Sequence, residues 1–178
     1  MTSSRGLGDV YKRQLLSLTH GQPATTTTLG KELAVFVSRV EREIALVKKI
    51  KLLAKLSGAT GSYAAHKVAF PDFNWPLFSK RFIKKLGLEQ SPISTQIEPG
   101  DSLAELLHSF VRINNIFSDF SLDMWLYISR NIFVQKNIVG EVGSSTMPHK
   151  INPIFFENAE GNLDIANNNF SFLASRIT

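Results

Sequence analysis

The sequence predicts an all-α protein, a bundle of long helices. Two observations carry that expectation and a third supports it. From Lys31 to about Leu56, the residues Leu33, Val37, Val40, Ile44 and Val47 recur at alternating spacings of four and three, the seam of an amphipathic helix. A second stripe runs through Leu103, Leu107, Phe110, Ile113, Phe117, Phe120, Met124 and Tyr127, at spacings of three or four. No set of alternating apolar and polar positions marks a sheet, and no internal repeat is visible.

The elements come in order along the chain. Residues 1–14 show no periodicity and look unrelated to the rest of the chain, so they read as a non-native leader to be set aside. In the first helix Arg39, Glu41, Arg42, Glu43, Lys48 and Lys49 lie largely off the seam, and Ser57-Gly58-Ala59-Thr60-Gly61 ends it. A shorter helix is expected from about Trp75 to Leu86, with Asn74 as its cap, Pro76 in its first turn and Gly87 as its stop. Pro99-Gly100 makes a turn before Ser102-Leu103-Ala104-Glu105, which matches a capping box at the head of the second long helix. Near the end, Asn152 is placed to cap a last helix with Pro153 in its first position. Ser171 to Thr178 stops inside a helical pattern without a C-cap signal, so the natural protein is expected to continue.

Helices of this length outrun a chain of 178 residues. At about 1.5 Å per residue, some thirty residues span roughly 45 Å. Such rods leave apolar surface uncovered unless other helices join them. The chain therefore reads either as a helical bundle with pieces missing or as a subunit that completes its core by oligomerising.

Composition excludes more than it selects. There is no cysteine, which removes disulfides, thiolate metal sites and cysteine nucleophiles. No apolar run approaches the roughly 18 residues of a membrane span, and no signal-peptide core is present, which leaves the cytoplasm as the default address. The net charge of +5 suits anionic small molecules as well as nucleic acid. The groups Lys48, Lys49, Lys51, Lys55 and Lys80, Arg81, Lys84, Lys85 read as solvated helix faces, and no nucleic-acid-binding motif accompanies them.

Chemistry concentrates in two segments. Gly143-Ser144-Ser145-Thr146-Met147-Pro148-His149-Lys150-Ile151-Asn152-Pro153 sets a serine hydroxyl, a lysine and a helix start within eleven residues, a combination able to surround a small anion. Thr19-His20-Gly21-Gln22-Pro23-Ala24-Thr25 precedes the first long helix and sits in a polar, turn-rich stretch. Histidine is the side chain best suited to proton transfer near neutral pH. Read in isolation, His20 is either a proton donor or an ordinary loop residue.

Together these segments resemble two signatures of the fumarase/aspartase superfamily, in the form found in its adenylosuccinate lyase branch. The Gly-Ser-Ser, Met-Pro, Lys and Asn-Pro spacing is general to the superfamily, while Pro148-His149-Lys150 and His20-Gly21-Gln22-Pro23-Ala24-Thr25 are similar to that branch. Thr95-Gln96-Ile97-Glu98-Pro99 and Phe156-Glu157-Asn158-Ala159-Glu160-Gly161-Asn162 agree as well, so the resemblance covers about Leu15 to Thr178.

The resemblance implies a partial central helical-bundle domain over residues 15–178, incomplete at both ends, in a homotetramer with shared active sites. It implies β-elimination of fumarate from adenylosuccinate, giving AMP, and from the succinyl-carboxamide intermediate SAICAR, giving AICAR. Ser144 would be the base and His20 the acid. Gln96, Ser145, Lys150, Asn152 and Asn158 would hold substrate. His66 and His149 receive no definite role, and His108, beside the apolar stripe, reads as structural. Elimination of this kind calls for no metal or organic cofactor, and neither a nucleic acid nor a membrane is an expected partner. Two other readings stay open on the sequence: another lyase of the superfamily, such as an argininosuccinate lyase, and a helical assembly segment without catalysis of its own.

Overall fold

The computed structural model describes residues 13–135, 147 and 151–178. Their elements are β1 Gln14–Thr19, β2 Gln22–Thr28, α1 Leu29–Val47, β3 Leu53–Ala54, α2 Ala64–Ala69, α3 Trp75–Lys85, β4 Glu89–Gln90, α4 Asp101–Ser129 and α5 Ile154–Ile177. The chain divides into two compact units, Met1–Ala45 with Asn115–Gly161, and Leu46–Asn114 with Asn162–Thr178. Long helices dominate, as the periodicity predicts.

The first unit contains a hairpin that periodicity does not predict. β1 and β2 pair antiparallel, with Thr19 opposite Gln22 and Gln14 opposite Thr28. His20 and Gly21 form the two-residue turn with φ of 52° and 74°. Positive φ at both central positions is the signature of the type I′ turn, whose twist matches that of the strands it joins. The ladder shifts register between Leu16 and Leu18, opposite Ala24 and Thr25, and there the Ser17 hydroxyl donates to the Thr25 carbonyl. The four threonines, Thr25 to Thr28, are thus strand residues, as β-branching favours.

The hairpin runs directly into α1. Thr28 Oγ1 accepts from the Lys31 amide at 3.3 Å, the N-cap bond of α1. Leu29 donates its own amide to the Arg13 carbonyl at 2.9 Å. Leu29, Ile116 and Met124 are buried in this unit. Phe36 meets Phe120 edge-to-face at 5.3 Å, and Phe120 meets Phe156 at 6.5 Å. Arg39 and Asp119 form an exposed ion pair at 2.8 Å.

The first helix ends nine residues before the expected boundary near Leu56. Lys49 and Ile50 turn back with their amides on the Leu46 and Val47 carbonyls. Beyond them, Leu53–Ala54 pairs in parallel with Glu89–Gln90. A two-residue strand leaves no periodic trace, so tertiary pairing overrides a locally plausible helix.

In the second unit α3 obeys its sequence signals closely. Asn74 Oδ1 accepts from the Leu77 amide at 3.1 Å and Pro76 lies in the first turn. At the other end the Leu88 amide reaches the Ile83 carbonyl and the Gly87 amide reaches Lys84. With Gly87 at φ 78°, this is a Schellman ending. His66, in α2, packs edge-on against Tyr63 and Trp75 at 5.9 and 4.8 Å. His108 is exposed on α4.

Two expected caps are corrected. α4 begins at Asp101, where the Gly100 carbonyl accepts from the Leu103 and Ala104 amides. Ser102 is therefore already helical, and its Oγ accepts the Leu53 amide at 3.0 Å instead of closing a capping box. α5 begins at Ile154, with the Pro153 carbonyl accepting from Phe156 and Glu157. Pro153 thus occupies the capping position rather than the first helical one; lacking an N–H, it loses nothing there.

Candidate functional site

The turn that carries His20 is stiffened from below. β1 and β2 hold the two residues between paired Thr19 and Gln22, and His20 itself is exposed. No described residue hydrogen-bonds its imidazole. The arrangement presents a proton-transfer group at the end of a short, cross-braced ribbon, with its ring left available to a ligand.

Beneath the hairpin, within the same unit, lies a cavity of about 340 Å³. Leu16, Leu18 and Gly21 line it from the hairpin, and Asp123, Tyr127 and Arg130 from the end of α4 and just beyond. Glu32 of α1 also reaches it and accepts the Thr27 hydroxyl at 2.6 Å. That bond ties the second strand of the hairpin to the first turn of the helix. Burial, reinforced by the Glu32 and Asp119 carboxylates, raises Asp123 above the ordinary carboxylate range. Tyr127 is raised for the same leading reason, with Asp123 and Glu32 adding to it. Neither Glu32 nor Asp123 was legible as a cavity residue, because they lie ninety-one positions apart on two different helices.

The other expected site residues divide between the units. Asn152 is half-buried just before α5, and Asn158 is exposed on its second turn, both in the first unit. Gln96 is exposed in the second unit, in the segment between β4 and α4. Ser144, Ser145, Lys150 and His149 lie outside the described residues. Near Asn158 in the chain, Glu157 Oε1 accepts the indole N–H of Trp125 at 3.2 Å.

Gln96 is held by its backbone. Lys55 Nζ donates to the Gln96 carbonyl at 2.5 Å and to the Gly58 carbonyl at 2.6 Å. Ser57 and Ser94 join through their hydroxyls at 3.1 Å. No local signal marks this contact, since Lys55 reads as one of a run of solvated lysines. Among the described residues no group of three His, Asp or Glu side chains is arranged to hold a metal ion. No helix among them is long and apolar enough to cross a membrane.

Comparison with known proteins gives one family. The family model described as Lyase matches residues 13–164. An adenylosuccinate lyase of Escherichia coli K12 is 50% identical over 163 residues, covering 92% of this chain and 36% of its own length. One from Buchnera aphidicola of Acyrthosiphon pisum is 52% identical over 161 residues, covering 89% and 35%. One from Vibrio cholerae is 49% identical over 175 residues, covering 97% and 38%. The chain thus spans little more than a third of the length of these relatives.

Proposed function

The chain belongs to the Lyase family, and on that premise we propose that it forms part of an adenylosuccinate lyase. The enzyme would release fumarate from adenylosuccinate to give AMP, and from SAICAR to give AICAR, in the cytoplasm. The observation that carries the reading is His20, exposed and without a described hydrogen-bond partner at the head of a two-residue positive-φ turn. The identity to adenylosuccinate lyases of about half the aligned positions supports the choice of substrate.

The reaction needs two proton transfers. Ser144, as an alkoxide, takes the proton from the carbon beside a succinyl carboxylate. The electron pair left on that carbon forms the new double bond of fumarate as the adjacent C–N bond breaks. His20, as imidazolium, gives its proton to the departing nitrogen. Each transfer is worth roughly 10²- to 10⁴-fold in rate. Lys150 and the amides at the start of α5 stabilise the alkoxide and the doubly charged carboxylate that forms as the proton leaves. Asn152, Asn158, Gln96 and Ser145 hold the substrate.

Residues 15–178 would belong to the central helical bundle. The bundle is completed by identical copies as a homotetramer. Supporting this, the α1 seam residues Val37 and Ile44 are 56% and 42% exposed and Phe155 of α5 is 77% exposed. Such uncovered apolar positions call for further helices.

The test is a substrate panel on the full-length protein. Adenylosuccinate and SAICAR should both yield fumarate, and argininosuccinate should not. Ser144→Ala should lower kcat by roughly 10²-fold or more. Cleavage of argininosuccinate alone would assign the chain to another lyase of the family. Full activity in Ser144→Ala would remove Ser144 as the base.

A further inference from the structure

We propose that Lys55 is a positioning residue that sets Gln96 for substrate binding, an inference that rests on the substrate-binding role proposed for Gln96. Lysine has three N–H donors and no acceptor. Lys55 commits two of them to backbone carbonyls, Gly58 at 2.6 Å and Gln96 at 2.5 Å. Hydrogen bonds from an ammonium are roughly twice as strong as neutral ones. A solvated surface lysine would not bridge two loops in this way.

The bridge belongs to an ordered set of tethers. Ala54 accepts the Ser91 amide at 2.9 Å, Ser57 meets Ser94, and Gly61 lies against the Ser94 carbonyl. Every one of these anchors on the segment 91–96 comes from the short stretch 54–61. Among them only the Lys55 bond acts on Gln96 itself. Apolar packing does not substitute for it, because Thr95 and Gln96 are exposed and Ile97 is 71% exposed. No described residue hydrogen-bonds the Gln96 side-chain amide, which is therefore free to meet a ligand while its backbone is fixed. Lys55 thus acts through Gln96 and not on the substrate.

The test compares the full-length protein with Lys55→Met, Gln96→Ala and the double variant, by steady-state kinetics on adenylosuccinate and by amide hydrogen exchange. Loss of the charged hydrogen bond should raise KM about tenfold, with kcat held within about threefold. The double variant should be no worse than Gln96→Ala alone, because the lysine works through the glutamine. Exchange at residues 94–98 should quicken in Lys55→Met at an unchanged melting temperature. An unchanged KM with unchanged exchange overturns the proposal, as does a double variant whose defects multiply. A wild-type protein inactive on adenylosuccinate overturns the substrate assignment instead; exchange at 94–98 then still decides whether Lys55 fixes the segment. If Lys55→Met fails to fold, Lys55→Gln, which keeps an N–H donor but no charge, carries the same comparison.

Discussion

Gly61 and Gly87 offer a matched pair for measuring how tightly the Gln96 segment is packed. Both glycines sit in the second unit with nearly the same backbone, φ 75° and 78°. Alanine at either position therefore meets the same left-handed penalty, about 1–2 kcal/mol. Their surroundings differ. A Cβ at Gly87 has nothing within 4 Å, whereas one at Gly61 falls far inside contact with the Ser94 carbonyl oxygen and 2.7 Å from its carbon. Backbone must move to admit it, and overpacking of that kind typically adds about 1–3 kcal/mol. Gly61→Ala should thus be more destabilising than Gly87→Ala by about that amount, read from urea midpoints at constant m. Moving Ser94 also drags Gln96, so Gly61→Ala should raise KM while Gly87→Ala leaves it unchanged. Equal destabilisation by the two substitutions would refute the close approach of Gly61 to Ser94, and with it the account of how the segment is held.

Other expectations are simpler. Asn74→Ala should destabilise by about 1 kcal/mol through loss of the α3 cap, with Asn74→Asp close to neutral, both measured by thermal unfolding. The exposed Arg39–Asp119 pair is worth little, so Arg39→Ala should change stability by less than about 1 kcal/mol, and less again in high salt. Asp123 gives a pH test. Its folded pKa is raised, so the native state holds the proton more tightly than the unfolded chain does. That contribution is full below the unfolded carboxyl value, about 4, and is lost as pH rises through the folded value. Asp123→Asn should therefore gain melting temperature relative to wild type as pH rises from that value toward neutrality; a constant difference across the window would count against burial beside Glu32 and Asp119.

Local punctuation was the legible part of the fold. Asn74, Pro76 and Gly87 announced both ends of α3 because capping is a short-range effect that the sequence carries directly. The 29 residues of α4 were legible through periodicity sustained over many turns. Where a segment has a distant partner, the same reasoning failed. Ser102 looked like a cap but bonds Leu53, forty-nine residues earlier. Leu53–Ala54 looked helical but pairs with Glu89–Gln90. The hairpin did leave a signal in His20-Gly21 and the run of threonines, although the proline and the shifted register obscured its alternation.

The candidate site divides in the same way. His20 and Gln96 stood in readable motifs, and both are exposed. The groups that set them in place were hidden. Glu32 reaches Thr27 only because the strand turns directly into the helix, and Lys55 reaches Gln96 across forty-one residues. Motifs name the groups that meet a ligand, while the groups behind them take their places from the fold.

The most direct measurement is fumarate release from adenylosuccinate by the full-length protein and by His20→Ala. Release by the wild type and a fall in kcat of roughly 10²- to 10⁴-fold in the variant are the predicted results. Unchanged kcat in His20→Ala, or no fumarate from the wild-type protein, would contradict the account.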